Sequence, residues 1–278
     1  MQKIEIKTPA KINIGLNVIR RRPDGYHDIR TIFYPVNLFD KILIKDSAEF
    51  KFLSNNDSIR NDPENLIIKA KEILEHHSGK KLNCRIELEK NIPIGAGMGG
   101  GSSDAAAVLI GLNEFFGLNI PRKALNFFAL ELGADVPFFL EPRPSYASSK
   151  GDELKVIDFK INYPVLIVNP GIHISTKWAY ANIKPKPGEV NLTELFESKL
   201  PDFIALKGIV TNDFEEIVFR EFPEVAEIKS EMYFLGALFA LMTGTGSTIF
   251  GIFPDKVSVE KAESVFRKKY FTFIHYNQ

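Results

Sequence analysis

The chain has 278 residues, 45% of them hydrophobic and 25% charged, with 35 basic side chains against 35 acidic ones. That is an ordinary globular composition with enough apolar residues for a sizeable core, and zero formal net charge argues against broad binding to nucleic acid or anionic membranes. The single cysteine, Cys84, excludes an internal disulfide and a thiolate metal cluster.

The N-terminus carries no basic leader followed by an apolar run, and no stretch approaches the roughly 18 apolar residues of a membrane span, so a cytoplasmic protein is expected. Residues 3–7 and 11–19 alternate as strands, broken at Thr8-Pro9-Ala10, where the chain is expected to bend or change partner because proline cannot donate to a sheet ladder. Asp24-Gly25 marks a turn in the polar loop 20–29, and 31–45 is a further strand. A helix is expected within 61–79, where Ile67, Ala70, Ile73 and Leu74 recur at helical spacing before Gly79. Residues 82–90 return to strand alternation, with Cys84 expected to be half-buried.

The segment IPIGAGMGGGSSDAA at 92–106 follows, and from about Ser102 an amphipathic helix runs to Gly117. A second helix runs from Pro121 to Gly133, ahead of the apolar piece ADVPFFL. Two strand-like runs lie within 153–168, and a short helix is expected near 192–199 in an otherwise loop-like stretch. Helical pieces flank Pro223, apolar runs at 237–241 and 248–253 enclose MTGTGS, and a helix and a last strand complete the chain. The expected organisation is α+β in two domains, 1–160 and 161–278.

A strand–loop–helix with this many glycines is an anion site in outline. Glycines let backbone N–H groups approach a ligand, and the first helical turn leaves N–H donors unpaired. Ser102 and Ser103 can cap the helix, donate to phosphate oxygens or meet a metal ion, and Asp104 is expected to point away as a helix-stabilising residue. No lysine follows the glycines, which excludes a Walker A loop. The alternating strand before them fits a half-exposed antiparallel sheet better than the parallel context of a dinucleotide fold.

Three motifs in order, PAKINIGL at 9–16, the glycine stretch, and GTGSTIFGIF at 244–253, resemble the GHMP kinase superfamily. RRPDGYHDI and LGADVPFFL extend the resemblance nearly end to end. It implies a two-domain GHMP kinase fold, with an N-terminal ribosomal-protein-S5-like α/β domain and a C-terminal ferredoxin-like α+β domain. The implied activity is ATP-dependent phosphorylation, with Mg²⁺, of the 2-hydroxyl of 4-diphosphocytidyl-2-C-methyl-D-erythritol, on the non-mevalonate route to isoprenoid precursors. The implied partner is thus a small molecule carrying a cytidine diphosphate group, not nucleic acid or membrane.

Residue by residue, the resemblance makes Asp135 the catalytic base and Lys11 the cation that faces it, with Asn13, on the same side of the strand, a substrate-binding residue. Tyr26 and His27 match a cytidine-recognition pair, Thr176 a threonine near the substrate, and Tyr180 an aromatic that closes the other side of the base. Asn65 falls where the family contacts adenine. Pro93, Ile94, Gly95, Ala96, Gly97, Met98, Gly99, Gly100, Gly101, Ser102 and Ser103 form the ATP loop. Local sequence also permits plainer readings: Asp135 as a turn residue after a helix, Lys11 as an edge-strand lysine, and Tyr26-His27 as an ordinary loop pair.

Two departures stand out. Thr243 and Thr245 replace usual serines, and SYASSKGDEL at 145–154 is poor in glycine. Rival readings are a homoserine- or mevalonate-type kinase of the same superfamily, or an inactive nucleotide-binding module. Tyr26-His27 argues against the first, and Lys11 with Asp135 against the second.

Overall fold

The structure, a computed structural model, describes residues 2–60, 62–186, 191–197 and 201–276. Its elements in chain order are β1 (Lys3–Arg21), β2 (His27–Asp46), β3 (Lys51–Ser54), α1 (Asp57–Arg60), α2 (Leu66–Ser78), β4 (Cys84–Glu89) and α3 (Gly100–Phe115). There follow α4 (Arg122–Leu132), α5 (Val136–Leu140), β5 (Ser145–Ser148), β6 (Glu153–Val156), β7 (Val165–Asn169), α6 (Thr176–Asn182) and α7 (Leu192–Glu197). The chain ends with α8 (Glu215–Glu221), α9 (Pro223–Phe234), β8 (Phe239–Met242), β9 (Ile249–Ile252), α10 (Lys256–Phe266) and β10 (Phe271–His275).

Most expected elements are present, and four short ones, β3, α1, β5 and α6, were not expected. The run at 133–140, read from sequence only as a buried apolar piece, contains the helix α5. Residues 187–190 and the end of the helix expected near 192–199, at 198–199, lie outside the described residues. The break expected at Thr8-Pro9-Ala10 does not occur, since β1 runs through it. The change of partner expected there is seen next to the proline, where the Lys11 N–H donates to Met98 O at 2.9 Å.

Contacts divide the chain into two compact units that interleave in sequence. One comprises Met1–Ala10, Leu38–Ile92 and Gly99–Pro142, and the other Lys11–Asn37, Pro93–Met98 and Arg143–Gln278. A single boundary near residue 160 does not describe this partition. β1 and β2 have 19 and 20 residues. At about 3.3 Å per residue such strands outrun one small core.

In the first unit, β2 pairs antiparallel with β4 from Lys41↔Glu89 to Asp46↔Cys84, and β3 adds to β4 in parallel. The sheet is therefore mixed, while the alternation of β4 is as read: Ile86 and Leu88 point inward and Arg85 and Glu89 outward. Cys84 is fully buried, not half-buried, and burial pushes its thiol up to about 11. α3 packs against α2 and α5 and buries Ser103–Leu109, Gly111, Leu112 and Phe115, so it is the central helix of this unit.

In the second unit, β7, β8, β9 and β10 form an antiparallel sheet in the order β10-β7-β9-β8. With helices between β7 and β8 and between β9 and β10, this is the ferredoxin-like arrangement. Its core joins Leu166, Val168, Val225, Met232, Phe253 and Val259 to Leu16 and Val18 of β1. β5 pairs with β2 at Thr31–Phe33 and carries β6 on its other side.

Gly111 sets how closely α3 approaches the strands. A Cβ there would lie 2.6 Å from Ile6 Cδ1 and 2.7 Å from Ile44 Cδ1, so both side chains would have to move. Gly111→Ala should therefore destabilise the protein by about 1–3 kcal/mol, the usual range for overpacking, measured by chemical denaturation.

Candidate active site

The glycine stretch leaves β4 as a loop and enters α3 earlier than its sequence suggests. Gly99 occupies the N-cap with φ 70°, a left-handed conformation that favours glycine, and α3 starts at Gly100. Ser102 and Ser103 therefore lie inside the helix and cap nothing, contrary to the sequence reading. Glycines 100 and 101 take up the first turn, which leaves its N–H groups bare of side-chain partners. Ser103 Oγ is buried and, among the described residues, is the one buried side-chain polar atom without a hydrogen-bond partner. A buried hydroxyl in that state is costly unless a ligand completes it.

The front of the loop meets the third motif backbone to backbone. A Cβ on Gly97 would lie 2.3 Å from Thr243 O, and one on Gly246 would lie 2.4 Å from the carbonyl carbon of Ala96. Only glycine permits that approach. The partner loop is itself braced: Asn212 Nδ2 donates to Met242 O and Gly244 O, both at 2.8 Å, and Thr243 N donates to Thr248 O at 2.9 Å. His173 abuts the same loop, since a Cβ on Gly95 would come 2.5 Å from its Nδ1.

Lys11 is 3% exposed on β1, with its ammonium 2.5 Å from Asn13 Oδ1 and 4.4 Å from the centroid of the Phe33 ring. It is a buried cation, not the edge-strand lysine of the plainer reading. Asn13 Nδ2 donates to Thr31 Oγ1 at 2.9 Å, and the Asn13 N–H donates to Thr243 Oγ1 at 2.8 Å. Asn13 thus orients Lys11, and both its amide groups are engaged within the protein. Thr243 is fully buried, so the methyl that distinguishes it from serine is packed. Asp135 precedes α5 at the N-cap position with φ −81° and ψ −18°, and its side chain makes no capping bond.

Tyr26 is exposed at the tip of the β1–β2 loop, whereas His27 is buried. The His27 ring stacks on Tyr180 with centroids 5.0 Å apart and an interplanar angle of 28°, and Tyr180 meets Phe214 edge-on at 4.9 Å. One face of Tyr180 is therefore taken by His27. Burial, and then the charge of Arg21, holds the His27 imidazole below its ordinary range. Thr176 Oγ1 lies 3.1 Å from Thr245 Oγ1, which ties α6 to the third motif.

The glycine-poor segment after β5 supplies a residue that the sequence did not flag. Lys150 Nζ lies 5.0 Å from the centroid of the Tyr26 ring, and Ser149 O accepts from the Ile29 N–H at 2.7 Å. A lone lysine between serine and glycine carries no motif by which to find it.

Asn65 is the N-cap of α2: its Oδ1 accepts from Ile67 N at 2.9 Å and its Nδ2 donates to Ile59 O at 3.0 Å. Its side chain thus anchors the helix start. His77 is exposed on α2, with its ring edge-on to Phe128. Asp104 is buried, receiving Lys90 Nζ at 2.9 Å and Thr8 Oγ1 at 2.8 Å. Burial pushes its carboxyl up to about 7 against the opposing pull of Lys90. Burial alone would lower the Lys90 pKa, but Asp104 and Asp40 outweigh it and hold the ammonium charged.

Two family descriptions match the chain: "GHMP kinases N terminal domain" over residues 65–141 and "GHMP kinases C terminal" over 193–272. The chain belongs to the GHMP kinases. Among members of this family, it is 39% identical over 95% of its length, and 94% of the relative's, to a 4-diphosphocytidyl-2-C-methyl-D-erythritol kinase of Pelobacter propionicus. It is 41% identical over 91% of its length, and 93% of the relative's, to a kinase of the same name from Bacteroides thetaiotaomicron. A crystal structure of 4-(cytidine 5'-diphospho)-2C-methyl-D-erythritol kinase superposes with a TM-score of 0.80 at 33% identity, covering 98% of each chain. Like other GHMP kinases, the chain is thereby an ATP-dependent small-molecule kinase with an α+β two-domain fold.

Two outcomes follow from this geometry. Gly97→Ala should cut phosphoryl transfer at least about tenfold, because the methyl group forces apart two loops that meet through their backbones; steady-state kinetics on the folded variant checks it. In an NMR titration His27 should show a midpoint below the ordinary 6.5. Because its folded pKa is depressed, the linked stability is present above the unfolded value and is lost as pH falls through the folded one.

Proposed function

We propose that the chain phosphorylates the 2-hydroxyl of 4-diphosphocytidyl-2-C-methyl-D-erythritol, using ATP, on the non-mevalonate route to isoprenoid precursors. The observation that carries this reading is identity of 39% over 95% of the chain to a relative named for that substrate. The chemistry of the Tyr26–His27–Tyr180 cluster is in keeping with it, since aromatic faces and a neutral imidazole suit a cytosine ring. We place the activity in the cytoplasm, and among the described residues no helix is long and apolar enough to cross a membrane.

In this reading the loop from Pro93 to Ser103 receives the ATP phosphates. Its backbone N–H groups and the unpartnered Ser103 Oγ complete their hydrogen bonding on phosphate oxygens. Mg²⁺ bound there would screen the phosphates' charge. Among the described residues there is no group of three or more His, Cys, Asp or Glu able to hold a metal. Ser102 and Ser103 would be the protein oxygens available to it.

Asp135 accepts the proton of the substrate hydroxyl, and Lys11, oriented by Asn13, is the cation that the family motif pairs with it. Both roles follow the family motif. Tyr26 stacks on the base, His27 hydrogen-bonds its edge, and Tyr180 holds His27 in place. Lys150 beside Tyr26 supplies a cation for the substrate's diphosphate, and Thr176 with Thr245 borders the substrate. Asn65 acts on the adenine end by shaping the start of α2. The two domains expected from sequence, 1–160 and 161–278, each contain one of the two family matches.

The test is ADP release on incubation with ATP, Mg²⁺ and the diphosphocytidyl substrate, against homoserine and mevalonate as rival acceptors. Release with a rival alone would refute the substrate assignment. Asp135→Asn should lower kcat by about 10²–10⁴-fold, the usual range for a general base, with little change in either KM. Turnover within about threefold of wild type would remove Asp135 from that role.

A further inference from the structure

Three ionisable side chains lie buried where the glycine loop leaves β4 and where it enters α3. Their side chains are 0%, 5% and 3% exposed for Asp40, Lys90 and Asp104. Asp40 Oδ1 accepts from the N–H of Asn91 at 2.6 Å and from that of Ile92 at 2.7 Å, the last two residues before Pro93. Its other oxygen receives the Lys90 ammonium. The same ammonium donates to Asp104 Oδ2 at 2.9 Å, and Asp104 Oδ1 accepts from Thr8 Oγ1 at 2.8 Å. Asp104 follows Ser103 directly in α3. Lys90 also presses on the first helical residue, since a Cβ on Gly100 would lie 2.7 Å from its Nζ and 3.0 Å from Ile92 Cγ2.

Stability alone is a poor reason for such a cluster. Two carboxylates and one ammonium lose their hydration on burial, and well-packed apolar side chains of equal volume are often as stabilising or more so. What charged, directional hydrogen bonds add is fixed geometry. Here they hold two consecutive backbone N–H groups at the loop's entry, and through one ammonium they link that entry to the helix turn at its exit.

We propose that Asp40, Lys90 and Asp104 are positioning residues for ATP: a buried brace that pins both ends of the glycine loop and so sets where its N–H groups and Ser103 Oγ point. The brace touches no substrate. It rests on the kinase reading above, in that the loop's ligand is ATP. Its action falls on the nucleotide and not on the acceptor, because the loop carries no residue of the cytidine cluster.

Lys90→Met removes the link and keeps much of the volume. Asp104→Asn weakens it and keeps the Thr8 contact, and it serves where Lys90→Met does not fold. Val259→Ala, a core truncation in α10, is a comparator that only lowers stability. For each folded protein, the ATP Kd is measured by calorimetry and both KM values by steady-state kinetics. The brace variants should raise the ATP Kd and KM about tenfold or more, given that a misplacement of about 1 Å can cost 10²-fold. The KM for the diphosphocytidyl acceptor should stay within about twofold, and the comparator should leave the ATP Kd unchanged. An unchanged ATP Kd in the brace variants, an equal rise in both KM values, or an equal rise in the comparator would overturn the inference while leaving the kinase reading intact. Wild-type protein that bound no ATP would overturn both.

Discussion

The approach of Gly97 to the backbone of Thr243, and of Gly246 to that of Ala96, is the constraint on which the rest of the second unit's chemistry depends. No side chain fits between the two loops, so their relative position is set by main-chain atoms. Thr243, held by that contact, presents its hydroxyl to the Asn13 N–H, and Asn13 in turn holds the Lys11 ammonium. The direction of a buried charge on β1 is thereby fixed by a turn more than 230 residues later in the chain. Asn212 braces the same turn by donating to two of its carbonyls. Phosphoryl transfer is governed by positioning and electrostatics, so a site assembled from rigid backbone contacts suits it.

The molecule also keeps charge out of water in places where packing alone does not require it. Lys11 lies against Asn13 and the Phe33 ring, and Lys90 lies between two carboxylates. Burial makes each ion costly to leave unpaired, and each is satisfied. Ser103 Oγ is the exception among buried polar side-chain atoms of the described residues. It sits in the helix turn that follows the glycines.

Patterns that repeat within one element were legible from the start. The alternation of β4, the helical period of α2 and α3, the stop at Gly79 and the helices either side of Pro223 all report local geometry, which neighbours in sequence dictate. The short elements β3, α1, β5 and α6 were not legible, because four to seven residues carry too little periodicity and are held by partners elsewhere. Pro9 was misread for a related reason: whether proline interrupts a strand depends on whether its missing N–H would have had a ladder partner. Gly99 likewise displaced Ser102 and Ser103 from the cap, since the glycines themselves could take up the first helical turn.

The site divided along the same line. Residue identity and order along the chain determined the α+β class, the family, the glycine loop and the candidates Lys11, Tyr26, His27 and Asp135, because chemistry that needs particular atoms leaves particular letters. Tertiary structure alone decided that Asn65 is an N-cap, that Tyr180 stacks on His27, that Lys150 stands beside Tyr26, and that Asp40, Lys90 and Asp104 meet in one buried cluster. Each of those facts depends on a side chain's partner, and here that partner is set by how distant segments pack in space, which no short-range pattern in the sequence encodes.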